Sequence, residues 1–205
     1  YEGLQCHVRA ELNDYYGDEI VPLDQPIPAH LLGNMWAQSW SNISDIVYDF
    51  DESSSIDLTQ IILDRNLSET EMVEIAEAFF LSLGFDPLPD TFWERSLFTK
   101  PEDRNVVCHA SAWDIDSKKQ DLRIKMCIEK NEEDFITIHH ELGHIFYYQA
   151  YADLPEIFQS GANDGFHEAV GDLLSLSITP SYLRDIGFIS EQEAEASKEN
   201  AIGLL

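Results

Sequence analysis

The feature that most constrains this chain is a pair of histidines four residues apart in a long stretch of helical periodicity. The stretch covers 132–151, and it contains the sequence His-Glu-Leu-Gly-His at 140–144. Four helical steps return the chain to nearly the same face, about 40° round the axis and about 6 Å along it. The imidazoles of His140 and His144 can therefore reach one tetrahedral zinc ion.

Glu141 stands beside the first histidine, where its carboxylate can reach a water molecule at the open position of the metal. Zinc lowers the pKa of such a water toward about 7, and the carboxylate takes the proton as the water attacks a carbonyl carbon. The alternative is an amphipathic helix with two exposed histidines, because so short a pattern also arises by chance. Apolar residues at 135–138 and 145–148 favour the metal site, since unpaired histidines are costly in a buried helix.

A catalytic zinc ion needs a third protein ligand, and the next helical stretch, 165–177, supplies a candidate in Glu168. Asp172 falls one turn later on the same face, where it can accept a hydrogen bond from a ligand histidine. The alternative is that both are solvated helix acids. The upstream histidine pair, and the break at Pro155 and Gly161 between the two helices, favour the ligand interpretation.

The rest of the chain is predicted to be mainly helical with one hairpin. Helices are predicted at 1–16, 29–40 and 68–83, and strands at 106–108 and 122–126 around a polar turn at 117–119. Gly17 and Gly84 mark two helix ends, and Ser68 begins a capping-box pattern. Helical spacing begins at the first residue, and the chain stops on two leucines without a cap signal, so both ends are expected to be cuts through a larger fold.

The chain has 39 acidic and 12 basic residues, for a formal net charge of −27. Such a surface repels nucleic acid and anionic membranes, so no nucleic-acid partner is expected. The acid excess is otherwise interpreted as a solvated surface. No segment approaches the roughly 18 unbroken apolar residues of a membrane span, so membrane attachment is expected only through segments outside this chain.

Two sequons, at Asn42 and Asn66, are compatible with secretion. Asn66 follows a polar stretch and is the better glycosylation candidate. Asn42 stands among tryptophans, which predicts that it is buried. The three cysteines decide little by their number alone.

Four blocks, at 28–38, 107–114, 139–144 and 161–172, resemble the angiotensin-converting enzyme family and occur in that family's order. The resemblance covers almost the whole chain. It implies zinc peptidyl-dipeptidases that are largely helical and divided by a deep cleft. The fold class expected here is mainly α: a partial helical zincin-type metallopeptidase domain with a small β-hairpin, truncated at both ends. Residues 1–205 are expected to form one partial catalytic domain that carries the zinc-binding site.

The resemblance implies the same metal site as the residues do, with ligands His140, His144 and Glu168. It also implies that Glu141 acts as general base and then as general acid, and that Asp172 lies next to the ligands.

Three further residues acquire roles only through the resemblance. It implies that His109 donates a hydrogen bond to substrate and that Ala110 binds the peptide through its main chain. Gln38 would bind the C-terminal carboxylate of a substrate whose last two residues are removed, where a single-residue carboxypeptidase of the family carries arginine. From the residues alone, His109 is an ordinary polar residue beside a strand and Gln38 is a surface amide of a helix.

The resemblance also implies a disulfide between Cys108 and Cys127, flanking the hairpin, while Cys6 has no obvious partner. Closing that loop is worth about 3 kcal/mol in the chain-entropy model. It favours an oxidising compartment, and hence an extracellular protein that is secreted or a membrane-anchored ectodomain.

The function expected is release of C-terminal dipeptides from oligopeptides by a zinc peptidyl-dipeptidase. The alternatives are a single-residue metallocarboxypeptidase and a non-catalytic binding module of the same family. Family members carry substrate-binding lysine and tyrosine residues and chloride-binding arginines further along the chain. The isolated chain is therefore expected to be inactive, and chloride is a cofactor candidate of the full-length protein only.

Overall fold

The computed structural model describes residues 2–33, 40–47 and 56–202, and the chain divides into two compact units, Tyr1–Ser55 and Ile56–Leu205. In the first unit, helix α1 spans Glu2–Tyr16 and the short helix α2 spans Ser44–Val47. Helix α1 ends at Gly17, which adopts a φ of +88° that favours glycine. The core of this unit is small and aliphatic, formed by Val8, Leu12, Val21, Ile27, Leu32, Ile43 and Val47.

The segment predicted as a helix at 29–40 is only one 3-10 turn, Ala29–Leu31, in the part of it that the structure describes. Gly33 then adopts a φ of +86°, and a Cβ there would lie 2.5 Å from Oδ1 of Asn42. The predicted burial of Asn42 is wrong, because this residue is exposed and its amide donates a hydrogen bond to the carbonyl of Leu31 at 3.1 Å.

The second unit holds seven helices and one hairpin within 56–202. The helices are α3 (Leu58–Asp64), α4 (Glu69–Ser82), α5 (Asp90–Arg95), α6 (Glu132–Ala152), α7 (Asp164–Ser175), α8 (Pro180–Asp185) and α9 (Glu191–Ile202). The capping box of α4 is confirmed, since the Ser68 hydroxyl accepts from the Glu71 amide and the Glu71 carboxylate accepts from the Ser68 amide. Asn131 and Asn163 cap α6 and α7 in the same half, each by accepting a backbone N–H three residues on.

Strands β1 (Ser111–Asp116) and β2 (Asp121–Lys125) form an antiparallel hairpin, with Trp113 opposite Arg123. The predicted first strand at 106–108 is wrong. Val107 is 73% exposed, and Cys108 is tied to Cys127 by a disulfide, so this segment is anchored by a covalent bond and not by a strand ladder. The second edge of β2 pairs with Leu97, whose N–H donates to the carbonyl of Ile124 at 2.9 Å.

Helix α6 is the centre of the second unit. Its apolar side packs on α4 and α5, where Phe80 and Phe146 stack with ring centroids 4.3 Å apart. Phe135, Ile138 and Leu142 on this side are fully buried. A helix of 21 residues fixed along its length in this way is a rigid platform for side chains on its opposite side. The predicted fold class, mainly α with a small hairpin, is confirmed.

No helix among the described residues is both long and apolar enough to cross a membrane.

Candidate metal centre

Helix α6 presents His140 and His144 on one side, and their Nε2 atoms lie 3.0 Å apart. Both side chains are largely shielded, with 20% and 10% of their surface exposed. Burial lowers the pKa of His144 to about 4, with a smaller contribution from the neighbouring His140, so this imidazole is neutral at pH 7. A neutral imidazole is the form that binds a metal ion.

Glu168 reaches this pair from α7. Its carboxylate oxygens lie 3.2 Å from Nε2 of His140 and 3.7 Å from Nε2 of His144. The three donor atoms all lie within 4.8 Å of one another. Zinc–ligand distances of about 2.0–2.1 Å in a tetrahedron require donor atoms about 3.3 Å apart, and the separations here bracket that value. The donor set of two imidazoles and one carboxylate therefore fits zinc in both chemistry and spacing.

Two glycines allow the helices to approach closely enough for this arrangement. A Cβ on Gly143 would lie 2.9 Å from the Cα of Gly171, and a Cβ on Gly171 would lie 2.8 Å from Nδ1 of His140. Both distances are too short for any other residue. The glycines of the two sequence motifs therefore form the crossing point of α6 and α7, directly beneath the first histidine.

Asp172 lies one turn beyond Glu168, and its Oδ1 is 3.0 Å from Nδ1 of His140. A proton on Nδ1 then donates to this carboxylate and leaves Nε2 free to face the other donor atoms. The side chains of Glu168 and Asp172 are 63% and 70% exposed, as solvated helix acids would be, yet each contacts a histidine of α6.

Glu141 is 6% exposed, and its Oε2 is buried without a hydrogen-bond partner. Burial raises the pKa of this carboxyl group to about 7. A buried carboxylate oxygen normally has a partner, so an orphaned one beside three convergent donor atoms indicates a group that acts on a bound molecule.

These residues line a cleft of about 1010 Å³ between α6, α7 and the start of β1. His109 and Ala110 line the same cleft, so the structure brings them together with the three donor residues. Gln38 lies outside the described residues. The disulfide between Cys108 and Cys127 is confirmed, with Cα atoms 5.1 Å apart, and Cys6 is free and exposed. Asn66 is exposed in a turn with φ of +51°.

Comparison with known proteins identifies the family. The family model described as "Angiotensin-converting enzyme" matches residues 1–205. The chain belongs to the angiotensin-converting enzyme family. Relatives named angiotensin-converting enzyme include those of Sus scrofa, 49% identical over 94% of this chain, and Haematobia irritans exigua, 44% identical over 97%. The protein of that name from Theromyzon tessulatum is 46% identical over 92% of this chain.

The chain spans only part of these members of the angiotensin-converting enzyme family. The matched region is 15% of the Sus scrofa protein and 33% of the Haematobia irritans exigua protein. The cleft described above is therefore built from a fraction of the length that these relatives have.

One residue of the site, His167, was not predicted from the sequence. Its Nδ1 lies 2.7 Å from Nδ1 of His144, the nitrogen of that ring that faces away from the other donors. A residue directly before Glu168 is turned about 100° away from it on a regular helix, so spacing did not indicate a shared site. The first turn of α7 crosses α6 closely enough that both positions reach it.

Proposed function

We propose that the protein carrying this chain is a zinc-dependent peptidyl-dipeptidase, and that residues 1–205 are the part of its catalytic domain that carries the zinc-binding site. The observation that supports this proposal is the convergence of His140, His144 and Glu168 from two helices, with donor atoms within 4.8 Å, beside the buried carboxylate of Glu141. This is the set of ligands and base that metal-assisted peptide hydrolysis requires.

A zinc ion held here would supply Lewis acidity to the attacking water and to the peptide carbonyl. The protein's own residues handle the protons. Glu141 accepts a proton from the water at its orphaned oxygen and later delivers it to the leaving amine. Asp172 holds the Nδ1 proton of His140, so that Nε2 keeps its lone pair for the metal.

The substrate class is oligopeptides bound along the cleft. His109 would donate a hydrogen bond to the peptide, and the main chain of Ala110 would bind the peptide backbone, since both line the cleft beside the donor residues. Gln38 would bind the C-terminal carboxylate and leave room for two residues beyond the cleaved bond. The disulfide supports an extracellular location, secreted or as a membrane-anchored ectodomain.

The experiment is cleavage of an N-blocked oligopeptide by the zinc-loaded natural protein that carries this chain, with products identified by mass. Dipeptides are expected, and Glu141→Gln is expected to lower kcat by about 10²–10⁴-fold because general base catalysis is lost. Zinc content, measured in parallel, should be the same in both proteins because Glu141 is not a ligand.

The other outcomes contradict the proposal in different ways. Release of single residues would assign a carboxypeptidase. A folded, zinc-loaded protein that cleaves no peptide would assign a binding module.

A further inference from the structure

The two histidines of α6 are supported by different partners. His140 faces the carboxylate of Asp172, the usual partner of a metal-binding histidine. His144 has another imidazole in the equivalent place, with Nδ1 of His167 2.7 Å from its own Nδ1. The site is therefore asymmetric, with an anion behind one imidazole and a neutral-ring nitrogen behind the other.

The proton arrangement between these two rings follows from the metal-binding form of His144. If Nε2 of His144 gives its lone pair to zinc, the neutral ring must carry its proton on Nδ1. Nδ1 of His167 can then only accept, because two N–H groups 2.7 Å apart would repel. The proton of His167 consequently lies on Nε2, an atom that is buried and has no partner among the described residues.

The ring of His167 is fixed from three sides. Its centroid lies 4.7 Å from that of Tyr147 and 4.9 Å from that of Tyr148, both on α6. On the third side, a Cβ on Gly161 would lie 2.8 Å from Cδ2 of His167, so the loop before α7 closes directly onto the ring. The Tyr147 hydroxyl holds this loop by accepting the N–H of Ala162 at 3.1 Å.

We propose that His167 is a positioning residue of the metal centre: it accepts the Nδ1 proton of His144 and thereby fixes the tautomer and the orientation of that ligand. This inference rests on the proposed zinc site. It assigns to the loop at 153–163 a function in metal binding, because Gly161 and the Tyr147–Ala162 hydrogen bond keep His167 in place.

The test is zinc affinity of the full 205-residue chain, measured by competition with a chelator, together with the visible absorption of the Co²⁺-substituted chain. His167→Phe keeps an aromatic ring between the tyrosines and removes the acceptor. We expect it to weaken zinc binding by about 10–100-fold and to shift the Co²⁺ bands. His167→Asn places an amide oxygen where Nδ1 was, and its affinity should recover toward the wild-type value.

Two further variants separate the nitrogen from the packing. Tyr147→Phe loosens the same loop but keeps both rings and the acceptor, so its Co²⁺ spectrum should remain that of the wild type. Gly161→Ala keeps every nitrogen but crowds the His167 ring, so it should weaken zinc binding even if His167→Phe does not fold.

The outcomes distinguish the two proposals. A wild-type chain that is folded and binds no zinc would contradict the proposed metal site itself. Wild-type zinc binding with an unchanged affinity and Co²⁺ spectrum in His167→Phe would overturn the role of His167 alone. An Asn variant as weak as the Phe variant would also overturn it, because the acceptor would then not be the property that matters.

Discussion

Two adjacent histidines of α6 have opposite environments. His139 is fully buried, its Nδ1–H donates to the carbonyl of Phe135 at 2.8 Å, and burial lowers its pKa to about 4. It is a neutral core residue. His140, 100° further round the helix, faces Asp172 and Glu168 in the cleft. The residue type is the same, and the face of the helix decides which one is available to a metal ion.

At the residue scale, Asp172→Asn is expected to weaken zinc binding by about 10–100-fold, because the hydrogen bond to His140 loses its charge. Asp164→Asn is the matched control. It removes the same charge from the same helix, but Asp164 makes no hydrogen bond to either α6 histidine. Chelator competition measures both affinities. Equal losses in the two variants would mean that overall charge, and not the contact with His140, controls the affinity.

The sequence predicted the metal-centre residues better than the surrounding elements, for physical reasons. Helical spacing brings His140, His144, Glu168 and Asp172 into two rows, and that spacing survives folding. His167 was missed because its role depends on how closely α7 crosses α6, which is set by tertiary packing. The same limit explains β1, whose register follows from pairing with β2 and Leu97 and not from its own mixed pattern.

At the element scale, the contact between α6 and α7 predicts a strong effect of Gly171→Ala. The new Cβ would lie 2.8 Å from Nδ1 of His140, so the helices must separate. We expect a loss of stability of about 1–3 kcal/mol in urea unfolding, together with weakened zinc binding. Gly165→Ala, on the same helix, meets only Oδ1 of Asn163 at 3.5 Å and should leave both quantities near wild type. Normal zinc binding by Gly171→Ala would contradict the proposed crossing.

Strand β2 is tied to α5 by an ionic cluster that predicts a pH dependence of stability. Arg123 and Arg95 hydrogen-bond Asp121 and lower the pKa of its carboxyl group from 3.8 to about 2. The folded state therefore binds this proton less tightly than the unfolded state, so the stabilisation is present above about pH 4 and lost as the pH falls toward 2.

Asp121→Asn should accordingly lower the urea midpoint at pH 6 and differ less from wild type at pH 3. Asp86→Asn, an exposed acid in a loop, serves as the control for loss of one negative charge. If the difference between Asp121→Asn and wild type were the same at both pH values, the cluster would not be the cause.

At the scale of the whole molecule, the disulfide joins the segment that carries His109 to the residues that lead into α6. Cys108 and Cys127 enclose β1 and β2, with a sequence separation of 19. Reduction should lower the free energy of unfolding by about 3 kcal/mol, measured by urea denaturation with and without reductant. Cys6→Ser should respond to reductant as wild type does, because Cys6 is free. An unchanged midpoint after complete reduction would contradict this role of the disulfide.

The large negative charge of the molecule does not determine the metal centre. The net charge of −27 is spread over many exposed acids, whereas the centre uses two carboxylates aimed at α6 by helix packing. The most direct test of the account is therefore structural: X-ray absorption at the zinc edge of the folded chain, with zinc content measured on the same sample. We predict one zinc per chain with two nitrogen ligands at about 2.0–2.1 Å, and a loss of one of them in His144→Phe. A folded chain without zinc, or a zinc environment unchanged by His144→Phe, would contradict it.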